Sequence, residues 1–263
     1  MLAVKTLILF IFVFSLSFSI SKAQNIAFDQ DLFDKFVEMR VGEGSKPVYW
    51  YCFGEVYSYP DGKMLSRMEG IDAAHLIRVA KDSVIQLNRK IFVFTDALTN
   101  QILKEYNGQK VSHFEYPYQK ITYALNNGRL ASYVEQGSGK RITKLGPGFN
   151  TTARLMGDSY IFTSPVFLDW VLPSGKYEAY ENYDFYYFPA DSDIQHRFQL
   201  SWVRYGELPP FFGHGKKGII QLVCYRVDDF YSIPDPIKSH ILSEAQLWMK
   251  PPMSLQEIEE LQK

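Results

Sequence analysis

Between Asn25 and Arg40 the apolar residues Phe28, Leu32, Phe33, Phe36 and Val37 recur every three or four positions, the spacing that lines one face of a helix. Asp29 stands near the start of that run, where its carboxylate can accept from first-turn N–H groups. The pattern predicts a short amphipathic helix. After Gly42 and Gly44 the character changes to KPVYWYCFGEVYSYP, dense in aromatic and β-branched residues that suit a pleated surface. Pro60, Asp61 and Gly62 then stand in the order of a tight reversal, so a hairpin into KMLSRMEGIDAAHLIRVA is expected.

Strand-like runs follow at SVIQLNRKIFVFTD, KVSHFEYPYQKITYAL, RLASYVEQG, SYIFTSPVFLDW, KYEAYENYDFYYF, RFQLSWVRYG and GIIQLVCYRV. Asn127-Gly128 separates the second and third of these, as in a two-residue hairpin loop whose residues both take positive φ. GSGKRITKLGPGFNTTARLMGD holds five glycines and little periodicity, which reads as a long loop covering an opening. Near the end, Asp235-Pro236 opens a helical run, Pro251-Pro252 stops it, and Ser254 with Glu257 makes a capping-box pattern for a tail helix. Nine or ten strands with few internal helices predict a mainly β fold, a single antiparallel β-barrel or strongly curved sheet with short N- and C-terminal helices.

The first 23 residues stand apart. Lys5 precedes an apolar run, and Ser21 and Ala23 place small residues at the −3 and −1 positions before Gln24, the pattern of a cleaved signal peptide. The expected organisation is therefore a signal peptide over 1–23 and one β-rich domain over 24–263, exported to the periplasm or the exterior, with no stable membrane span after cleavage. Without Lys5 and Lys22, 26 basic side chains face 29 acidic ones, a net charge of −3. That mixed, weakly acidic surface excludes nucleic acid as the expected partner, since phosphate binding needs a clustered positive field. Export permits Cys52 and Cys224 to pair; buried free thiols account for the same pattern.

Candidate chemistry is sparse. The five histidines show no HxH or HExxH spacing, and two cysteines are too few for a cysteine-based zinc site. No metal or other cofactor is expected. Gly137-Ser138-Gly139 lies in the glycine-rich stretch, away from any strand-to-helix elbow, so a serine nucleophile is not indicated. More informative are polar residues interleaved with aromatic ones. Arg67 and Glu69 share a strand face, as do His113 and Glu115, and Trp202 and Arg204; a tryptophan beside an arginine offers a stacking surface and a fixed charge. The structural alternative pairs Arg204 or Arg226 with Asp184 or Glu69. In YENYDFYYF, alternation assigns Tyr183, Phe185 and Tyr187 to the interior of the curved sheet, and Tyr186 and Phe188 to a helix-covered outer side.

SWVRYGELPPFFGHGKKGIIQLVCYRVDDFYSIP carries a tryptophan-x-arginine-x-glycine pattern at Trp202, Arg204 and Gly206, continued by Pro209, Gly213, Arg226 and Pro234. In this the chain resembles the bacterial family named domain of unknown function 1838, with weaker likenesses at KFVEMR, VYWYCFGEVY and FVFTDALTNQIL. The resemblance implies an exported bacterial protein and no catalytic residue. The expected function is binding of a small apolar or aromatic molecule by Arg67, Glu69, His113, Glu115, Tyr183, Tyr187, Trp202 and Arg204. The alternative is a metal-independent lyase, isomerase or hydrolase with a His113, Glu115 or Glu69 base and Arg204 stabilising negative charge in the lumen.

Overall fold

The computed structural model describes residues 24–44, 46–138, 141–145, 151–172 and 175–262. The expected signal peptide, residues 1–23, lies outside the described residues. In chain order the elements are β1 (Gln24–Ile26), α1 (Gln30–Val41), β2 (Val48–Ser58), β3 (Met64–Ala80), β4 (Ser83–Thr95), β5 (Glu105–Tyr106), β6 (Gln109–Lys110), β7 (Phe114–Asn126) and β8 (Arg129–Ser138). They continue with β9 (Arg141–Leu145), β10 (Thr152–Met156), β11 (Ser159–Leu172), β12 (Gly175–Tyr187), β13 (Phe198–Glu207), β14 (Lys217–Val227), α2 (Ile237–Glu244) and α3 (Leu255–Leu261).

Among the described residues, twelve strands form one sheet in the order β1-β10-β11-β12-β13-β14-β2-β3-β4-β7-β8-β9. Every pairing within it is antiparallel. The sheet curls until a single bridge, Leu130 with Thr151, joins the β8 side to the chain entering β10. This is the mainly β, strongly curved sheet with short terminal helices that the alternation predicts. One expectation is corrected: the glycine-rich stretch after Gly137 is not all loop, because residues 141–145 pair with β8 and residues 152–156 pair with β11. Ile142, Thr143 and the TTARLM run hold enough β-forming residues for short strands, a signal the glycines masked.

The local chemistry of the turns and caps follows the sequence. Asn127 (φ 49°) and Gly128 (φ 73°) both take positive φ between β7 and β8. The Asp29 side chain accepts from Leu32 N–H at 2.8 Å, a cap that stabilises a helix by about 1 kcal/mol. Ser254 caps α3 by accepting from Glu257 N–H.

Helix α1 lies against the concave side of the sheet and fills one end of it. Its Phe36 ring meets Tyr123, Phe162 and Phe185 edge-on at 5.1, 5.4 and 6.0 Å, each such contact contributing roughly 0.5–1.5 kcal/mol beyond burial. At its C-terminal end, Arg226 donates to the carbonyls of Glu38 and Met39, placing a cation where the helix dipole favours one. Arg226 therefore holds α1 and does not bridge to Asp184 or Glu69 as the sequence led one to expect.

A second apolar layer covers the convex side of β2, β3 and β4. There Tyr49, Tyr51, Ile71, Ala73, Ile91 and Val93 pack under Phe230, Ile233, Ile237 and Ile241. Arg89, also outward, is 2% exposed and donates to Pro117 O, Lys250 O and Glu257 Oε1, which fastens the C-terminal segment to β4. The strands covered on both faces are thus β2, β3 and β4, not β12. Tyr186 and Phe188, expected beneath a helix, instead stack on each other at 6.3 Å.

Candidate functional site

Alternation along the strands sends one set of side chains into the curl, and this set surrounds a cavity of about 290 Å³. That lies near the lower end of the ~300–1,000 Å³ usual for small-molecule sites. Met68 and Asp72 of β3, Lys90 and Phe92 of β4, and Phe114 and Tyr116 of β7 form one wall. Glu181, Tyr183 and Phe185 of β12, with Trp202 and Arg204 of β13, form the opposite wall. Trp50 and Cys52 of β2 lie between them, and Arg40 enters from the last turn of α1. Cys52 and Cys224 stand opposite each other in the β2–β14 register and are joined as a disulfide in the cavity wall.

The wall is mostly aromatic and aliphatic, and its ionic groups fall into two clusters. In the first, Arg40 Nη2 donates to Asp72 Oδ2 at 2.7 Å while Asn88 Nδ2 donates to Asp72 Oδ1 at 2.8 Å. Lys90 Nζ lies 3.6 Å from the same Asp72 carboxylate. Burial alone would raise the Asp72 pKa, but Lys90 and Arg40 outweigh it and hold the carboxyl below its ordinary range. Burial lowers the Lys90 pKa against the pull of Asp72.

The second cluster centres on Glu181. Its Oε2 accepts from Tyr183 Oη at 2.6 Å and from Trp202 Nε1 at 3.3 Å, and its Oε1 lies 3.4 Å from Arg204 Nε. Burial raises the Glu181 pKa, only partly offset by those two donors. The Tyr183 phenol is pushed well above its usual value, by burial first and then by the adjacent carboxylate. It therefore stays a hydrogen-bond donor at neutral pH.

Of the eight residues singled out from the sequence, the structure brings Tyr183, Trp202 and Arg204 to the cavity wall. Tyr187 shares their strand face but packs beneath α1, its hydroxyl donating to Glu38 at 2.8 Å. Arg67 and Glu115 are exposed and Glu69 lies on the convex side, so none of the three faces the cavity. The reason is parity: Met68 and Asp72 point inward, which turns Arg67 and Glu69 out. Glu69 is occupied there by Tyr51 and Asn100. His113 accepts from Phe94 N–H at 3.3 Å and lies 6.3 Å from His240 of α2. Burial and then His240 lower its pKa to about 4.

The expected partner of Arg204 is also corrected, from Asp184 or Glu69 to Glu181. Asp184 is on the other face of β12, accepting from Thr163 and Asn182. Glu181 was legible in principle, because it has the same parity as Tyr183 and Phe185. Asp72 and Lys90 were not, since only the β3–β4 register sets them opposite each other. Arg40 needed the tertiary position of α1. Among the described residues, no group of three or more His, Cys, Asp or Glu side chains converges as a metal site.

Comparison with known protein families finds one whose description is protein of unknown function (DUF1838), matching residues 45–262. No curated protein matches the chain.

Proposed function

Since the chain belongs to the DUF1838 family, whose description assigns no activity, we propose its function from the cavity: an exported protein that binds a small, largely apolar or aromatic molecule inside the curled sheet. The observation that carries this reading is the unfilled space of about 290 Å³ between aromatic walls. A sheet serving only as scaffold gains by filling such a space, because voids forfeit dispersion contacts. The ionic groups of the wall also favour binding over turnover. Asp72 is engaged by Arg40 and Asn88, and Glu181 by Tyr183, Trp202 and Arg204, so each carboxylate already has partners. Export is supported by the apolar opening segment and by the disulfide, which persists in oxidising compartments.

Native mass spectrometry of the protein purified from its natural host tests this reading, and a bound small molecule that leaves on denaturation is the expected result. A protein that carries no added mass, and whose unfolding midpoint no aromatic compound raises, would overturn it.

One observation favours a second reading. Glu181 faces the cavity with a raised pKa beside Arg204, the carboxyl-and-cation arrangement of a general acid with a charge-stabilising partner. This metal-independent enzyme would use Glu181 in place of the His113, Glu115 or Glu69 base. Turnover insensitive to chelators and abolished by Glu181→Gln distinguishes it from a binding protein.

A further inference from the structure

Arg40 is 4% exposed, yet only one of its three nitrogens is used. Nη2 donates to Asp72, whereas Nε and Nη1 have no hydrogen-bond partner. The guanidinium sits 5.8 Å from the Trp50 ring and 5.7 Å from the Phe185 ring, and all three side chains line the cavity. Tyr123 lies beside it, but no hydrogen bond of ordinary geometry reaches the two idle donors. Buried N–H groups without acceptors are rare in folded proteins, and those of a charged group are the most costly.

The sharing of Asp72 points the same way. Two cations, Arg40 and Lys90, share one carboxylate, Asp72, and Lys90 reaches it only at 3.6 Å, beyond hydrogen-bond length. The remaining polar neighbours, Asn88 and Gln119, are neutral amides hydrogen-bonded to each other at 3.2 Å. Glu181 attracts Lys90 across the cavity, but its hydrogen bonds come from Tyr183 and Trp202 and it pairs with Arg204, so it gives Arg40 no acceptor. Asp72 thus gives Arg40 a single acceptor and leaves its Nε and Nη1 donors idle beside an apolar cavity, and buried donors of a charged group call for an acceptor. A carboxylate supplies two acceptor oxygens for such donors, and the aromatic wall suits a ring beside it.

We propose that Arg40 and Lys90 form an anion-recognition corner, and that the ligand is a small aromatic or alicyclic monocarboxylic acid. Its carboxylate accepts from the idle Arg40 N–H groups and from Lys90, and its ring lies against Trp50, Phe185 and Phe92. This assignment rests on the lumen being the binding site, and it adds the chemical class of what enters.

The test is calorimetric titration with 2-naphthoate and with 2-naphthylmethanol, which shares the ring system but is neutral. Charge-assisted hydrogen bonds to buried donors predict that the acid binds roughly tenfold or more tightly than the alcohol. In Lys90→Met, and independently in Arg40→Lys, that ratio should fall to about threefold or less. Alcohol binding in each variant reports that the pocket still forms. Equal affinities for acid and alcohol in the natural protein would overturn the anion corner while leaving the pocket reading intact. A preference for the acid that survives both substitutions would overturn its assignment to these residues. Binding of neither compound would overturn the pocket reading and this inference together.

Discussion

Replacing Asp72 by Asn keeps the shape of the side chain and removes the single charge that serves both Arg40 and Lys90. With N···O distances of 2.7 and 3.6 Å, an effective dielectric near 20 gives gross attractions of ~6 and ~5 kcal/mol. Desolvation of the groups offsets most of this, and breaking a buried pair by removing one partner has a net effect of about 3–5 kcal/mol. Asp72→Asn should therefore lower the unfolding free energy by that amount in urea titrations at neutral pH. Lys90→Met alone leaves Asp72 bonded to Arg40 and Asn88, so no buried charge is stranded and the loss should be only about 1 kcal/mol. In the Asp72→Asn background the same Lys90→Met change removes one of two stranded cations, so the double variant should be more stable than Asp72→Asn by about 1–2 kcal/mol. A loss under about 1 kcal/mol for Asp72→Asn, or simple additivity of the two changes, would refute the shared-charge reasoning. The sign with pH follows from the depressed Asp72 pKa: its contribution is full above the unfolded value and is lost as pH falls through the folded one.

Three other outcomes are expected. Changing Cys52 and Cys224 together to alanine opens a cross-link between residues 172 apart, which in the chain-entropy model removes about 5 kcal/mol, read as a lower urea midpoint. Arg89→Met deletes three hydrogen bonds from a buried guanidinium and should lower stability by about 3 kcal/mol, with faster amide exchange in α3 than in β3 if the C-terminal segment is fastened there. His113, with its pKa lowered to about 4, should keep a neutral imidazole by NMR down to about pH 5. Because the unfolded chain takes up that proton first, its contribution to stability declines as pH falls from about 6.5 toward about 4 and is constant above. An NMR midpoint near 6.5 would show that His113 is not buried against α2.

Much of the local structure could be read directly from neighbouring residues. Asp29, Asn127-Gly128 and Ser254 act through backbone groups within four positions of themselves, so short-range chemistry determined the caps and the hairpin. The alternation in YENYDFYYF likewise settled that Tyr183, Phe185 and Tyr187 share a face. Parity along one strand is local, but which parity faces inward is not. For β3 the inward set proved to be Met68 and Asp72, and that turned Arg67 and Glu69 out of the site. The same limit applied to Asp184 and Glu181, three residues apart on opposite faces of β12.

Taken alone, the sequence determined a mainly antiparallel, curled sheet with helices at its ends, because strand period, turn residues and helix spacing are short-range physical preferences. Only the tertiary structure decided what the concave side holds. Register between strands distant in sequence set Asp72 against Lys90 and Cys52 against Cys224, and the docking of α1 carried Arg40 into the same cavity. Those placements depend on which faces can be buried together, a property of the assembled layers that no single segment contains.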